Sequence, residues 1–142
     1  MKLSRLSVLL IVTLLLFVAS VSQASGVVVI VNPNVEDSSL DKDLLTRIYQ
    51  GKVSRWHSDS KVVPVMLKDG PTHETFTTDY MGTTPSRFRT YWKQAVFSGR
   101  GIPPKSFDSE LELVKYVAST PGAIGYVSPL TPLTGVKKLT IR

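Results

Sequence analysis

Thr120-Pro121-Gly122-Ala123-Ile124-Gly125-Tyr126-Val127 carries most of the information about how this chain folds. Proline cannot extend a helix, and glycine readily takes the left-handed conformation in which helices end. Pro121-Gly122 therefore reads as a helix stop followed by a tight turn. The apolar residues 123–127 read as a buried strand that ends at a pocket, and the glycine inside it, Gly125, marks a close approach of backbone or ligand. The same kind of punctuation stands upstream in Ile48-Tyr49-Gln50-Gly51-Lys52, with Trp56 four residues later. Gly51 is a natural C-terminal stop for the helix before it. Neither stretch supplies catalytic chemistry; both describe how the backbone is routed.

The remaining segments fit around these two. Residues 27–31 are β-branched without interruption, which predicts a buried strand, apolar on both faces as in parallel sheets, closed by Asn32-Pro33-Asn34. Ser38, Ser39, Asp41 and Asp43 mark a helix start, and Leu40, Leu44, Leu45 and Ile48 follow helical spacing. Residues 62–67 read as a second strand, in which Pro64 predicts an edge position or a bulge. Asp69-Gly70-Pro71-Thr72 is a turn into a helix near residues 73–81. Another helix starts at Thr84-Pro85-Ser86 and carries Phe88, Tyr91, Trp92, Ala95 and Val96 at spacings of three and four. Pro103-Pro104 forces an extended segment. A further helix from Asp108 or Ser109 carries a stripe of Leu111, Val114, Val117 and Ala118, and residues 136–141 form a last strand. The order strand, helix, strand, three helices, strand, strand implies an α/β domain with a mixed sheet flanked by helices.

The first residues have a different character. Lys2 and Arg5 precede an apolar run over residues 6–18, and Ser22 and Ala24 stand three and one places before a break. That is the pattern of a secretory signal peptide, residues 1–24, cleaved after Ala24, and it implies a periplasmic location for a domain over residues 25–142. The chain contains no cysteine, so thiol catalysis, thiolate metal sites and disulfides are excluded. The formal net charge is +6. Such a balance favours anionic partners, but the basic residues are scattered and do not argue for nucleic acid. The two histidines, His57 and His73, lack the spacing of a metal site, and no Gly-x-Ser-x-Gly elbow is present, so no catalytic residue, metal or cofactor is implied.

Three segments in order resemble the phosphate-type periplasmic solute-binding proteins. Ile48-Tyr49-Gln50-Gly51-Lys52 with Trp56 is similar to that family's I-F-x-G-K…W segment, and residues 121–127 are similar to its P-G-A-I-G-Y strand. Between them Tyr91-Trp92, residues 97–101 and Pro103-Pro104 resemble a short-chain branch of the family. The resemblance implies a single lobe of the type II periplasmic-binding-protein fold, without enzymatic activity. The implied role is that of the substrate-binding component of a phosphate transporter, with a membrane permease or receptor as partner. Full-length relatives have two lobes. One lobe offers no opposite wall to bury a ligand, so tight capture calls for a partner or a homodimer. The alternative function is an interaction or sensor module that keeps the lobe without its ligand.

In the family, an Arg-Ser-Asp-Gly-Ser-Gly-Thr loop opens a helix and holds phosphate through backbone N–H groups, hydroxyls and a guanidinium. The corresponding stretch here is Leu67-Lys68-Asp69-Gly70-Pro71-Thr72-His73-Glu74. Asp69-Gly70 matches, whereas Leu67 stands in the place of the Arg and Pro71 removes an N–H donor. Lys68, Asp69, Gly70, Thr72 and His73 are the candidate oxyanion residues. The competing reading is a capped helix start with Thr72 as N-cap and Asp69 and Glu74 favouring the dipole. Asn32 is a further candidate, because open α/β sheets place ligand loops after strands; turn formation by Asn32-Pro33-Asn34 is its alternative. Arg87, Arg89, Lys93 and Arg100 form either a basic face toward anionic surfaces or a solvated surface.

Overall fold

The β-branched run of residues 27–31 condenses into β1 (Val28–Val31). The computed structural model describes residues 26–142, so the leader and its cleavage site lie outside the described residues. Contrary to the parallel reading, β1 is antiparallel to both of its neighbours. It pairs with β5 (Ala123–Val127), Ile30 opposite Gly125, and with β6 (Lys137–Ile141), Ile30 opposite Lys138. An apolar run records that both faces of a strand are covered, not the direction in which its neighbours travel.

Two short strands complete the sheet. β2 (Ser39–Leu40) lies parallel to β6. β3 (Val63–Leu67) runs parallel to β5 and to β4 (Lys105–Phe107), giving the order β2-β6-β1-β5-β3-β4. Because Ser39 and Leu40 are drawn into β2, the first helix begins later than expected. α1 (Lys42–Tyr49) is capped by Asp41, whose carboxylate accepts from the Leu44 N–H at 2.7 Å. The other helices are α2 (Pro71–Asp79), α3 (Pro85–Phe97) and α4 (Glu110–Ser119), capped by Gly70, Thr84 and Ser109. In α4 the buried residues are Leu113, Val114 and Val117, while Leu111 faces solvent.

Pro64 sits in an internal strand rather than at an edge. The Val63 N–H donates to the Gly122 carbonyl on the β5 side, so alternation turns the Pro64 nitrogen toward β4, whose pairing begins only at Val65. The missing donor falls where no partner strand is waiting.

Helices cover both faces of the sheet. On one face α4 sets Leu113 and Val117 against Gly125. On the other, Tyr126 stacks on Phe76 of α2 with ring centroids 3.7 Å apart and meets Tyr49 of α1 edge-on at 6.0 Å. The segments 48–56 and 120–127 meet here. The Trp56 indole N–H donates to the Gly122 carbonyl at 2.9 Å, and Gly51 packs against Trp92.

Candidate functional site

Beyond Pro64 and Ile124 the pairing of β3 with β5 stops, and two buried tyrosines occupy the gap. Tyr49 donates its hydroxyl to the Val65 carbonyl at 2.9 Å, with the Ile124 carbonyl at 3.2 Å. The Leu67 N–H donates to the Tyr126 hydroxyl oxygen at 3.1 Å, and that oxygen lies 2.5 Å from Nδ1 of His73. Burial pushes both phenols well above their usual pKa, so both keep their protons. The Tyr126 hydroxyl is buried, and among the described residues its proton has no acceptor other than His73 Nδ1, so it is assigned to that nitrogen. The neutral imidazole then carries its hydrogen on Nε2.

His73 is thereby a held residue. It is 4 % exposed. Burial, and secondarily the Arg89 guanidinium, hold its pKa below the ordinary imidazole value, against the pull of Asp69. Among the described residues Nε2 has no hydrogen-bond partner, and the ring forms part of the wall of a groove between the end of β3, α2 and α3.

The groove has a volume of 440 Å³, within the range of about 300–1,000 Å³ usual for small-molecule sites. Met66, Phe88 and Trp92 are among its apolar lining, and Lys68, Arg89 and Lys93 supply its cations. The absent opposite wall expected from the sequence is therefore supplied in part within the lobe, by α3. Arg87 and Arg100, grouped with Arg89 and Lys93 on sequence, do not line it. The signal that marks the groove is the pair of overlapping spacings Phe88/Trp92 and Arg89/Lys93, each four apart on one helix.

Residues 68–70 turn from β3 into α2, and with residues 71–73 of its first turn they form one continuous stretch, the turn of residues 68–73. Lys68 donates its backbone N–H to Phe107, and its ammonium lies 3.6 Å from Asp108 on the exposed surface. Thr72 is not the N-cap. Gly70 holds that position with φ 95° and no side-chain cap, because Pro71 occupies the first helical position, where its fixed φ is favourable and its missing N–H costs nothing. The Glu74 N–H closes the first turn on the Gly70 carbonyl, and the Thr72 and His73 N–H groups have no partner among the described residues. The Thr72 side chain lines a separate shallow depression with Thr75 and Ser128.

Asn32 is elsewhere. Because β1 runs antiparallel to β5, while β3 runs parallel to β5, the C-terminal end of β1 lies at the opposite end of the sheet's strands from the C-terminal end of β3. The Asn32 amide donates to the Val117 and Ala118 carbonyls at 2.8 and 3.1 Å, and its oxygen accepts from the Asn34 N–H at 3.0 Å. Both donors are committed to the end of α4. Among the described residues no group of three or more His, Asp or Glu side chains is placed to hold a metal ion.

Residues 21–134 match the PBP superfamily domain. The chain belongs to that superfamily. The structure is similar to an ABC-type phosphate transport receptor from Vibrio cholerae, with TM-score 0.60, 16 % identity, and 82 % of this chain against 46 % of that one. It is likewise similar to a putative phosphate ABC transporter substrate-binding protein with bound phosphate from Clostridium perfringens. There the TM-score is 0.62 at 19 % identity, covering 82 % of this chain and 44 % of the other. PstS from Borrelia burgdorferi gives 0.57 at 13 %, over 82 % and 47 %. No curated protein matches the chain. The chain thus spans less than half the length of these structures, and the shared part is the mixed sheet with its flanking helices, a single PBP-type lobe. In this PBP lobe the turn of residues 68–73 and the groove beside it are the places where free donors and cations gather.

Proposed function

We propose that this lobe is an exported, non-catalytic binding module for a small oxyanion such as phosphate, serving a membrane permease as a transport component. The anion sits at the start of α2. The observation that carries the reading is a helix start with no side-chain cap: two unpaired N–H groups at Thr72 and His73, beside Lys68, with Arg89 close enough to act on His73. Such a terminus favours an anion through its donors and its dipole. Lys68 and Arg89 stand in for the guanidinium that Leu67 displaces from the turn. The bound phosphate of the Clostridium perfringens relative supports the ligand class.

Calorimetry of the chain against phosphate, sulfate and molybdate tests this. Lys68→Ala weakens binding by about 1–3 kcal/mol, the worth of a charge-assisted hydrogen bond, and Glu74→Gln strengthens it by removing repulsion from a dianion. Absence of binding at millimolar oxyanion overturns the reading. Export predicts a mature N-terminus at Ser25, checked by mass spectrometry; an N-terminus at Met1 overturns it.

A second reading, an interaction module, is favoured by the apolar end of α3 and the loop after it. Val96, Phe97 and Ile102 are 52, 96 and 90 % exposed. Its homodimeric form predicts a dimer at micromolar concentration that Phe97→Asp dissociates, as sedimentation would show.

A further inference from the structure

We propose that the groove between β3, α2 and α3 binds an organic anion with an apolar chain. Its charged head is held by His73 Nε2–H, Arg89 and Lys93, and its chain lies along Trp92 toward Phe97. This groove adjoins the turn of residues 68–73 and shares Arg89 and His73 with it, but the proposal does not depend on oxyanion binding there.

Three observations converge on it. The first is the His73 ring. It is more than nine-tenths buried and fixed at Nδ1 by Tyr126, yet it lines the groove, and its Nε2 has no partner among the described residues. The ring is fixed, so a ligand acceptor in the groove meets a donor that needs no reordering to bond it. The second is charge. Lys68, Arg89 and Lys93 line the groove and no carboxylate does; of the three, Lys68 has a carboxylate nearby, Asp108. The third is the lining itself. Met66, Phe88, Trp92 and Pro103 are apolar, and the surface continues onto the exposed side chains of Val96 and Phe97.

Neither half of this surface suits a simple ligand. A bare oxyanion leaves the apolar lining in water, and a neutral apolar molecule leaves the His73 N–H unpaired. A molecule with both parts satisfies both. Its length follows from the helix. Arg89, Lys93 and Phe97 are spaced by four along α3, so the cations and the apolar end share one face and span on the order of 12 Å at 1.5 Å per residue. That is the reach of a medium-length alkyl chain below its head group. The 440 Å³ volume accommodates such a ligand.

The head can be a carboxylate or a monophosphate, and the experiment separates them. The purified full chain is titrated calorimetrically with sodium decanoate and decyl phosphate below their micellar concentrations. Acetate, inorganic phosphate and decyl maltoside are titrated alongside, and phosphatidylglycerol vesicles are tested by sedimentation. Decanoate, decyl phosphate or both bind at least about tenfold more tightly than acetate, inorganic phosphate and the neutral decyl maltoside, as expected where a head group makes charge-assisted hydrogen bonds. The double variant Arg89→Gln/Lys93→Gln loses about tenfold or more in affinity. Phe97→Ser loses severalfold for the decyl ligands and nothing for inorganic phosphate. All three side chains are exposed, so these variants fold. The His73 Nε2–H resonance moves on addition of decanoate. Equal affinity for decyl maltoside, no saturable binding of either anion, or undiminished affinity in the double variant overturns the proposal. So does binding to vesicles without binding to the free amphiphiles, which would make the surface a membrane contact instead. Lys68→Ala acting on phosphate affinity, with Phe97→Ser acting only on decyl ligands, keeps the two sites distinguishable.

Discussion

Gly122 and Gly125 stand three residues apart and are glycine for different reasons. Gly122 has φ 78°, and a Cβ there would lie 2.1 Å from the Lys61 carbonyl oxygen, a backbone atom that cannot turn aside. Its own carbonyl accepts from Trp56 and from Val63, and its N–H donates to the Asn34 side chain, so the turn cannot shift without breaking all three. At Gly125 a Cβ would lie 2.7 Å from the Leu113 Cδ2 methyl and 3.1 Å from Val65 Cγ2. The Leu113 methyl ends a side chain that can rotate. Gly122→Ala should therefore cost more than Gly125→Ala, about 3 kcal/mol or more once left-handed strain and the clash add. Gly125→Val should cost about 1–3 kcal/mol by overpacking. Equal melting temperatures for Gly122→Ala and Gly125→Ala would contradict this assignment. The need for glycine at both positions is readable in the sequence, because it reflects local backbone geometry. What approaches Gly125 is not readable there: the close neighbours are α4 and β3, and no ligand is needed to explain the residue.

Elements long enough to show a period are found in the sequence close to where they form, and the misses are the short ones. β2 has two residues and β4 three, too few to alternate visibly; each exists because a neighbouring strand offers a free edge. Strand direction is the other blind spot, and it relocates a candidate residue. Asn32 follows β1, and with β1 antiparallel to β5 it arrives at the end of α4, not at the groove. Its amide acts as a C-terminal cap supplied from another element, satisfying carbonyls that the helix leaves open. Asn32→Ala should lower stability by about 1–3 kcal/mol through those carbonyls, in a urea titration, and leave oxyanion affinity unchanged. A loss of affinity with unchanged stability would return Asn32 to the ligand site. The turn of residues 68–73 was readable as a unit because its members are consecutive, whereas its cap was misplaced by two positions. Pro71, read only as a lost donor, also fixes the first helical position and makes Gly70 the cap.

The groove belongs to no single element, which is why sequence spacing alone did not reveal it: β3, α2 and α3 each contribute one wall, and His73 joins them through Tyr126 to the sheet. That linkage makes the stability of the entire lobe depend on pH at both ends. The His73 imidazole is held neutral below its usual pKa by burial and by Arg89, despite Asp69. Between that lowered pKa and the unfolded value of about 6.5, the unfolded chain binds more protons than the folded one, so stability rises with pH across this window. Read downward, the His73 contribution is complete above about 6.5, falls as the pH drops, and is lost once the pH passes through the folded pKa. Protonating Nδ1 also strands the Tyr126 hydrogen, which among the described residues has no acceptor other than His73. The tyrosines act in the opposite sense. The folded pKa values of Tyr49 and Tyr126 are raised, so their contribution is full below the unfolded value of about 10 and is lost as the pH rises through the folded values. For these three groups, stability should plateau between about pH 6.5 and 10 and decline on both sides. His73→Gln removes the acid decline that belongs to the imidazole, so the urea midpoint of that variant should change less than the parent's between pH 7.5 and 5.5. If parent and variant lose the same amount over that interval, His73 is not the group that senses acid, and the Tyr126–His73 link between sheet and groove is not what holds α2 in place.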